Sequence, residues 1–517
     1  MYYLDIKTPM INFQEYRNSL YVDKTLMIDK IQNRIRTLNK YICITRPRRF
    51  GKTMNANMLA AYFTKGYDSR ELFKGLKISK VPEFEEHVNQ HHVIYIDLSR
   101  LPDPCTSFQE YLDWIKHCLL DDLKKAYHIE KVPGEPMQNL FERTNDKFIF
   151  ILDEWDSIFY KTFMNDEDKK AYLEFLKGLL KDQPYVELAY MTGVLPILQY
   201  SNGSELNMFR EYNFMNDMIY ESYFGFTENE VRELCEHSKD VSYEELKYWY
   251  DGYHLSDGSS LFNPRSVNNA LSDGVCQNYW TETGPMHEIS NCIKYNVEAV
   301  REDVVKMVSE IPVRADLEGY NAAQLQLDTR DEILSSMVIY GFLSYHNGFL
   351  TIPNHELMIK FQNVLKEEYM GGVSEIVRQS NEILKATMDG DADKVAEMIE
   401  IAHDKEIPFL QYNNENSMSC VITLCYLSAR NDYEITREDK SGKGYVDFLF
   451  TPKISGYPAI ILELKYDKTA EEAIKQIKDK NYIEKINYAE ECLFVGINYA
   501  KKDKKHTCLI EKITHKI

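Results

Sequence analysis

Thirteen residues, Tyr41-Ile-Cys-Ile-Thr-Arg-Pro-Arg-Arg-Phe-Gly-Lys-Thr53, restrict this chain more than any other stretch. The apolar run predicts a short buried strand, the next residues a compact loop, and Gly51-Lys52-Thr53 the start of a helix near Met54. In that layout backbone N–H groups and the helix N-terminus face phosphates. Lys52 reaches the β and γ groups, and the Thr53 hydroxyl ligates Mg²⁺. The usual pattern opens with a glycine five positions before Gly51, and here Arg46 stands there. Arg46, Pro47, Arg48, Arg49, Phe50, Gly51, Lys52 and Thr53 are the candidate nucleotide-binding residues. The alternative is a basic loop that only caps a helix, and a second motif has to decide between the two.

Phe148-Ile-Phe-Ile-Leu-Asp-Glu-Trp-Asp156 is that motif. An apolar strand ending in two carboxylates delivers Asp153 to a Mg²⁺ shell and Glu154 to an attacking water. It follows the loop by about 100 residues, with the strand-like Val93–Leu98 and the helical 107–127 between. Val186–Gly193 reads as the next strand; its Thr192 either senses a γ-phosphate or simply ends the strand before Gly193. Strand-helix alternation of this kind predicts an α/β fold with a parallel sheet and flanking helices.

At 517 residues the chain exceeds a single core, so several domains are expected. The 44% hydrophobic fraction, with 37 Tyr and 24 Phe, marks a folded chain. No apolar run approaches the roughly 18 residues of a membrane span, and the N-terminus lacks a signal layout. The ten cysteines contain no Cys-x-x-Cys pair and read as reduced thiols, so a cytoplasmic protein without a membrane partner is expected. The net charge of −20 is uneven: residues 1–60 carry +7, 61–400 carry −27 and 401–517 balance. Both ends can therefore present basic surface to phosphates.

From Phe224 to about Met370 the spacing is largely helical. Tyr248-Trp-Tyr-Asp-Gly-Tyr253 and Phe262-Asn-Pro264 form an aromatic, turn-rich insert, most simply read as packing. Ile333–Tyr340 and a hairpin turning at Asn347-Gly348 suggest a small winged-helix unit. After residue 405 the order is helix, three strands, helix, strand. The first helix spans Glu415–Leu427, and the strands are Tyr433–Arg437, Tyr445–Phe450, Ala459–Lys465 and, last, Cys492–Ile497. Antiparallel pairing would set Asp447 about 5 Å from Glu463, and alternation puts Glu463 and Lys465 on one face. Asp447 and Glu463 would hold Mg²⁺ or Mn²⁺, and Lys465 would orient water and stabilise charge on a scissile phosphate. Glu415 is a candidate third carboxylate, with Gln476 and Tyr482 as positioning groups. The competing explanation is that Glu-Leu-Lys is common in such a chain and Asp447 caps a turn.

Tyr21-Val-Asp-Lys-Thr25, Arg46–Thr53, Leu152-Asp-Glu-Trp-Asp156, Thr192-Gly193, Phe224-Gly-Phe-Thr227, Tyr250-Asp-Gly-Tyr253 and Phe262-Asn-Pro264 resemble the bacterial AAA-ATPase-like proteins. Members of that family commonly end in a PD-(D/E)XK nuclease-superfamily domain. In that family Arg replaces the first loop glycine. The resemblance implies a P-loop AAA-ATPase-like core (1–223) and a helical lid with a winged-helix-like unit (224–371). A helical connector (372–404) and a restriction-endonuclease-like α/β domain (405–517) follow. It implies ATP and Mg²⁺ as cofactors, nucleic acid (DNA more than RNA) as partner, and a homo-oligomer. Trp155 stands for the more usual Tyr, Arg265 for the usual Trp, and Val446 for the Pro of the nuclease name. The sequence names no arginine finger acting between subunits; nothing in it singles out Arg210 or Arg232 for that role. The expected function is ATP-regulated cleavage or processing of nucleic acid. The alternative is an ATP-driven assembly switch whose nuclease fold only binds.

Overall fold

A computed structural model describes residues 1–132, 134–197, 206–215, 217–236, 238, 240–280, 293–294, 297–317, 329–404, 415–441, 444–479 and 491–514. Two compact units divide the chain. The first comprises Met1–Cys292, Ala315–Gly348 and Pro353–Glu356; the second comprises Ile293–Arg314, Phe349–Ile352 and Leu357–Ile517.

In the first unit, strands Tyr41–Thr45 (β1), His92–Asp97 (β2), Phe148–Asp153 (β3), Val186–Gly193 (β4) and Arg210–Tyr212 (β5) form a sheet in the order β2-β3-β4-β1-β5. Every pairing in it is parallel. Strands β1, β3 and β4 are buried at every position, because helices cover both faces of a parallel sheet. Alternation along each strand sorts the side chains into two cores. Cys43, Ile94, Ile96, Phe150, Leu152 and Met191 meet helices Phe108–Tyr127 and Asp166–Leu180. Ile42, Ile44, Val93, Tyr95, Ile151 and Tyr190 meet helices Thr8–Arg17 and Lys52–Phe63 on the other face. Thr45 pairs with Gly193, and Asp97 with Asp153, so the loops that carry chemistry leave the sheet along one edge.

The same unit contains the aromatic insert. Phe226–Thr227 (β6), Tyr253–His254 (β7) and Ser260–Phe262 (β8) form an antiparallel sheet ordered β6-β8-β7. Helices Glu228–Cys235 and Tyr243–Tyr250 each begin with a complete capping box, Thr227 with Glu230 and Ser242 with Glu245. Helix Pro264–Asp273 begins at Asn263, whose side chain accepts the N–H groups of Arg265 and Ser266 at 3.0 and 3.2 Å. Gly252 has φ +112°, and a Cβ there would lie 1.6 Å from the Pro353 carbonyl oxygen, so no other residue fits. Val313–Arg314 (β9), Ser344–His346 (β10) and Phe349–Thr351 (β11) follow in the chain. The turn expected at Asn347-Gly348 is present between β10 and β11, with φ +50° and +81° at its two central residues.

The second unit holds helices Gly372–Asp389, Ala392–Asp404 and Glu415–Cys425 and a mixed five-stranded sheet. Its strands are Tyr433–Ser441 (β12), Gly444–Pro452 (β13), Ala459–Tyr466 (β14), Glu491–Ala500 (β15) and Lys505–Thr514 (β16), in sequential order. Only β14 and β15 run parallel, joined by a crossover containing helix Ala470–Asp479. Ala473, Ile474 and Ile477 of that helix are buried, and Ile474 and Ile477 join Ile461 and Phe494 in the core of this sheet. Sequence reasoning took Cys492–Ile497 as the last strand and missed one more. β16 pairs with β15 along its whole length, and its mixed burial is that of an edge strand with one covered face. Lys501, Lys502, Lys504 and Lys505, at the link from β15 to β16, are all exposed. Among the described residues no helix is long and apolar enough to cross a membrane.

Candidate nucleotide and metal sites

The loop after β1 turns through two left-handed residues, Arg49 at φ +74° and Gly51 at +86°, and Gly51 caps helix Lys52–Phe63. Lys52 is 4% exposed; its ammonium donates to the carbonyls of Arg46 and Pro47 at 3.1 Å and lies 3.8 Å from Glu154 Oε1. Asp153, at the end of β3, is buried and accepts the hydroxyls of Thr192 and Thr53. Burial raises its pKa to about 6; the two hydroxyls oppose that rise and the Glu154 charge adds to it. Glu154 itself has φ +55° and turns out into a cleft of about 730 Å³. Arg48, Arg49, Gly51, Lys52, Thr53 and Glu154 line that cleft.

Arg46 does not line it. Its guanidinium is 1% exposed, pairs with Asp217, and donates to the carbonyls of Thr45 and Tyr212 at 2.7 and 2.9 Å. The expectation that Arg46 adds charge near phosphates is corrected accordingly. The side chain runs along the β1–β5 edge, where Asp217 neutralises it. Pro47 packs where Gly341 leaves room, since a Cβ on Gly341 would come within 2.7 Å of the proline ring. Phe50 meets Phe214 and Tyr253 edge-on at 5.4 and 5.1 Å, which gives the aromatic insert a packing role under the loop. Thr192 is fully buried, and its hydroxyl orients Asp153 instead of facing the cleft. Asp156 is also fully buried and accepts the N–H groups of Val194 and Leu195 at 3.1 and 2.8 Å.

Five cleft residues escaped sequence reasoning: Tyr16, Arg265, Asn268, Asn269 and Trp280. Arg265, Asn268 and Asn269 share one face of helix Pro264–Asp273, while Ser266, Val267 and Ala270 are buried on the other. The buried carboxylate of Glu356 holds this arrangement, accepting from the Ser266 hydroxyl at 2.9 Å and from the N–H groups of Tyr279 and Trp280 at 2.6 Å. Burial lowers the Arg49 pKa, and the Arg265 and Arg48 charges lower it further, so the arginines converge on one space. The signal for this face was the Asn263-Pro264 cap, which fixes where the helix starts and hence which residues share a side.

In the second unit Phe448 pairs with Leu462, which sets Asp447 opposite Glu463. Asp447 Oδ2 accepts the Leu464 N–H at 2.7 Å. Glu463 is 2% exposed; its Oε1 accepts from the Lys465 ammonium at 2.9 Å and from the Gln476 amide. Asp447, Glu463 and Lys465 are thus gathered on two neighbouring strands, and Gln476 reaches Glu463 from helix Ala470–Asp479. Glu415 opens its helix, but its side chain, like Tyr482, lies outside the described residues. Among the described residues no group of three or more His, Cys, Asp or Glu could hold a metal. Two opposed carboxylates still suit a divalent cation that keeps several waters, and the Thr53 hydroxyl with the Asp153 carboxylate offers a second set of two oxygen ligands.

The chain is similar over about two-thirds of its length to a Walker-type ATPase of Pyrococcus abyssi (12% identity, 66% of this chain and 96% of that one, TM-score 0.35). The ORC2 protein of Aeropyrum pernix, solved as ADPNP-ADP complexes, is similar at 11% identity over 66% of this chain and 91% of its own, with a TM-score of 0.29. No curated protein matches the chain. Residues 9–201 match the family described as predicted AAA-ATPase, and residues 413–508 match the PD-(D/E)XK nuclease superfamily. The chain therefore joins an AAA-ATPase-like domain to a PD-(D/E)XK nuclease-superfamily domain.

Proposed function

We propose that this protein binds and hydrolyses ATP in the 730 Å³ cleft and uses the cycle to regulate cleavage of nucleic acid, DNA before RNA, at Asp447, Glu463 and Lys465. The observation that carries the reading is the convergence of Arg48, Arg49, Lys52 and Arg265 with the single carboxylate Glu154 around the helix that starts after Gly51. Four cations at a helix N-terminus suit a polyphosphate. On this reading Lys52 exchanges its two loop carbonyls for β- and γ-phosphate oxygens, and Glu154 aligns the water in line with the γ-phosphate. Thr53 and Asp153 would hold Mg²⁺, which when bound neutralises charge building on the phosphates. In the second unit Asp447 and Glu463 would hold Mg²⁺ or Mn²⁺. Gln476 fixes the Glu463 carboxylate, and Lys465 orients water and stabilises the scissile phosphate.

The test is one set of assays on the whole chain. Lys52→Ala is expected to abolish nucleotide binding, and Glu154→Gln to trap bound ATP with hydrolysis lowered by about 100-fold or more. Asp447→Ala and Lys465→Ala are expected to abolish metal-dependent cleavage while leaving ATP hydrolysis intact. Cleavage that persists in pure Asp447→Ala protein would sink the nuclease assignment. Nucleotide-dependent assembly with no cleavage by the wild type would point to a switch instead.

A further inference from the structure

Two neighbouring cavities of different chemistry share Tyr16, Gly51, Met54, Pro264 and Asn268 in their walls. Arginines, Lys52 and Glu154 line the wide cleft, whereas a narrow annex of about 70 Å³ lies past Gly51 and Met54. The annex walls include the rings of Tyr16, Tyr21, Tyr223 and Phe226. Lys24 also borders it, but its ammonium is closed off by Glu230 at 2.6 Å and the Ser222 carbonyl at 2.6 Å. An anion-binding cavity beside a flat aromatic one is the outline of a nucleoside polyphosphate, and an annex of this size takes the edge of a base.

Several polar atoms bordering these two spaces have no partner: Tyr21 Oη on the annex wall, Arg265 Nε on the cleft wall, and Asn268 Oδ1 where the two meet. Asn268, on the helix that begins at Asn263-Pro264, borders both the cleft and the annex. Its Nδ2 donates to the Leu20 carbonyl at 3.3 Å, which fixes the orientation of the amide. The opposite atom, Oδ1, is buried with no hydrogen-bond donor. A buried acceptor left unmet is costly and rare, and turning the amide over would set carbonyl against carbonyl. The site therefore asks its ligand for a donor at the base edge.

We infer that Asn268 is the specificity-determining residue of the cleft: Oδ1 accepts the exocyclic 6-amine of adenine and disfavours guanine, which presents a carbonyl oxygen there. This rests on the reading of the cleft as a nucleotide site. Adenine satisfies the orphaned acceptor, whereas guanine would place two acceptors face to face, and such a mismatch discriminates more sharply than apolar contact does. Asn268 has no part in hydrolysis; one end of its amide reads the base while the other holds the Leu20 carbonyl.

The experiment is an equilibrium titration of the full-length protein with ATP, GTP and purine riboside triphosphate, which is ATP without its 6-amine. The wild type is expected to prefer ATP to both others, by roughly three- to tenfold over the purine analogue. In Asn268→Ala, ATP and the analogue should bind alike, because the amine has lost its partner. Equal affinity of the wild type for ATP and the analogue overturns the inference without relying on any variant to fold. So does an Asn268→Ala protein in which both ligands weaken by the same factor. If ATP binding survives Lys52→Ala, the nucleotide reading fails and the base assignment with it. If Lys52→Ala abolishes binding while the amine proves irrelevant, the base assignment alone fails.

Discussion

Asp156 shows how burial can be read as pH dependence at a single residue. Its carboxylate is fully enclosed, two backbone N–H groups face it, and burial still raises its pKa to about 6. The folded chain therefore keeps this proton at a pH where the unfolded chain, near 3.8, has lost it. The contribution of this residue to stability should be greatest below about pH 4, fall by about 3 kcal/mol between pH 4 and 6, and then level off. Asp153, also raised to about 6, adds a slope of the same sign. Asp156→Asn should thus flatten roughly half of the decline in urea unfolding free energy measured from about pH 4.5 to 7. An unchanged slope would show that the Asp156 carboxylate is not the titrating group. Asp153 and Glu154 could be anticipated because they end an apolar strand, where backbone direction alone places the carboxylates. The direction of Arg46 could not, because it depends on Tyr212 and Asp217, residues with no local signature far along the chain.

Among the elements, the antiparallel pair β13–β14 was legible because period-two alternation fixes both faces once the turn is known. Helix Pro264–Asp273 was hidden inside what read as an aromatic, turn-rich insert, since only three of its 10 residues are buried. β16 was missed because lysine and glutamate interrupt its apolar positions. That strand matters for the proposed activity. β14 and β15 are parallel, with Lys465 paired to Asn498, so the four lysines of the β15–β16 link leave the sheet at the Glu463–Lys465 end. Replacing Lys501, Lys502, Lys504 and Lys505 with serine in cleavage-dead Asp447→Ala protein should weaken binding to duplex DNA. The slope of log K against log salt should shrink by about 0.9 for each phosphate that the lysines no longer neutralise. Hydrolysis of a small phosphodiester by the otherwise wild-type chain should be unaffected. A salt slope that stays the same would place the backbone elsewhere.

At the scale of the molecule, the five-stranded parallel sheet lies in one unit and the five-stranded mixed sheet in the other. Calorimetry should resolve their unfolding, and ATP at about 100 times its Kd should stabilise only the unit that holds the cleft, by about 2.7 kcal/mol. Nucleotide that raises both transitions equally would contradict binding confined to that unit. Composition could suggest several domains but not where one ends, because residues 224–280 belong with the nucleotide sheet by packing that no local pattern records. The buried pair of Arg46 and Asp217 has a consequence for descent. Restoring the common glycine with Arg46→Gly would leave Asp217 charged and enclosed, at a cost of about 3–5 kcal/mol. Thermal unfolding of Arg46→Gly against the Arg46→Gly/Asp217→Asn double variant measures that cost, and the double variant should recover most of it. Neither position is then free to drift alone. Lineages of this loop that carry glycine at position 46 should also have lost the acid at 217, a paired inheritance that can be counted across sequences.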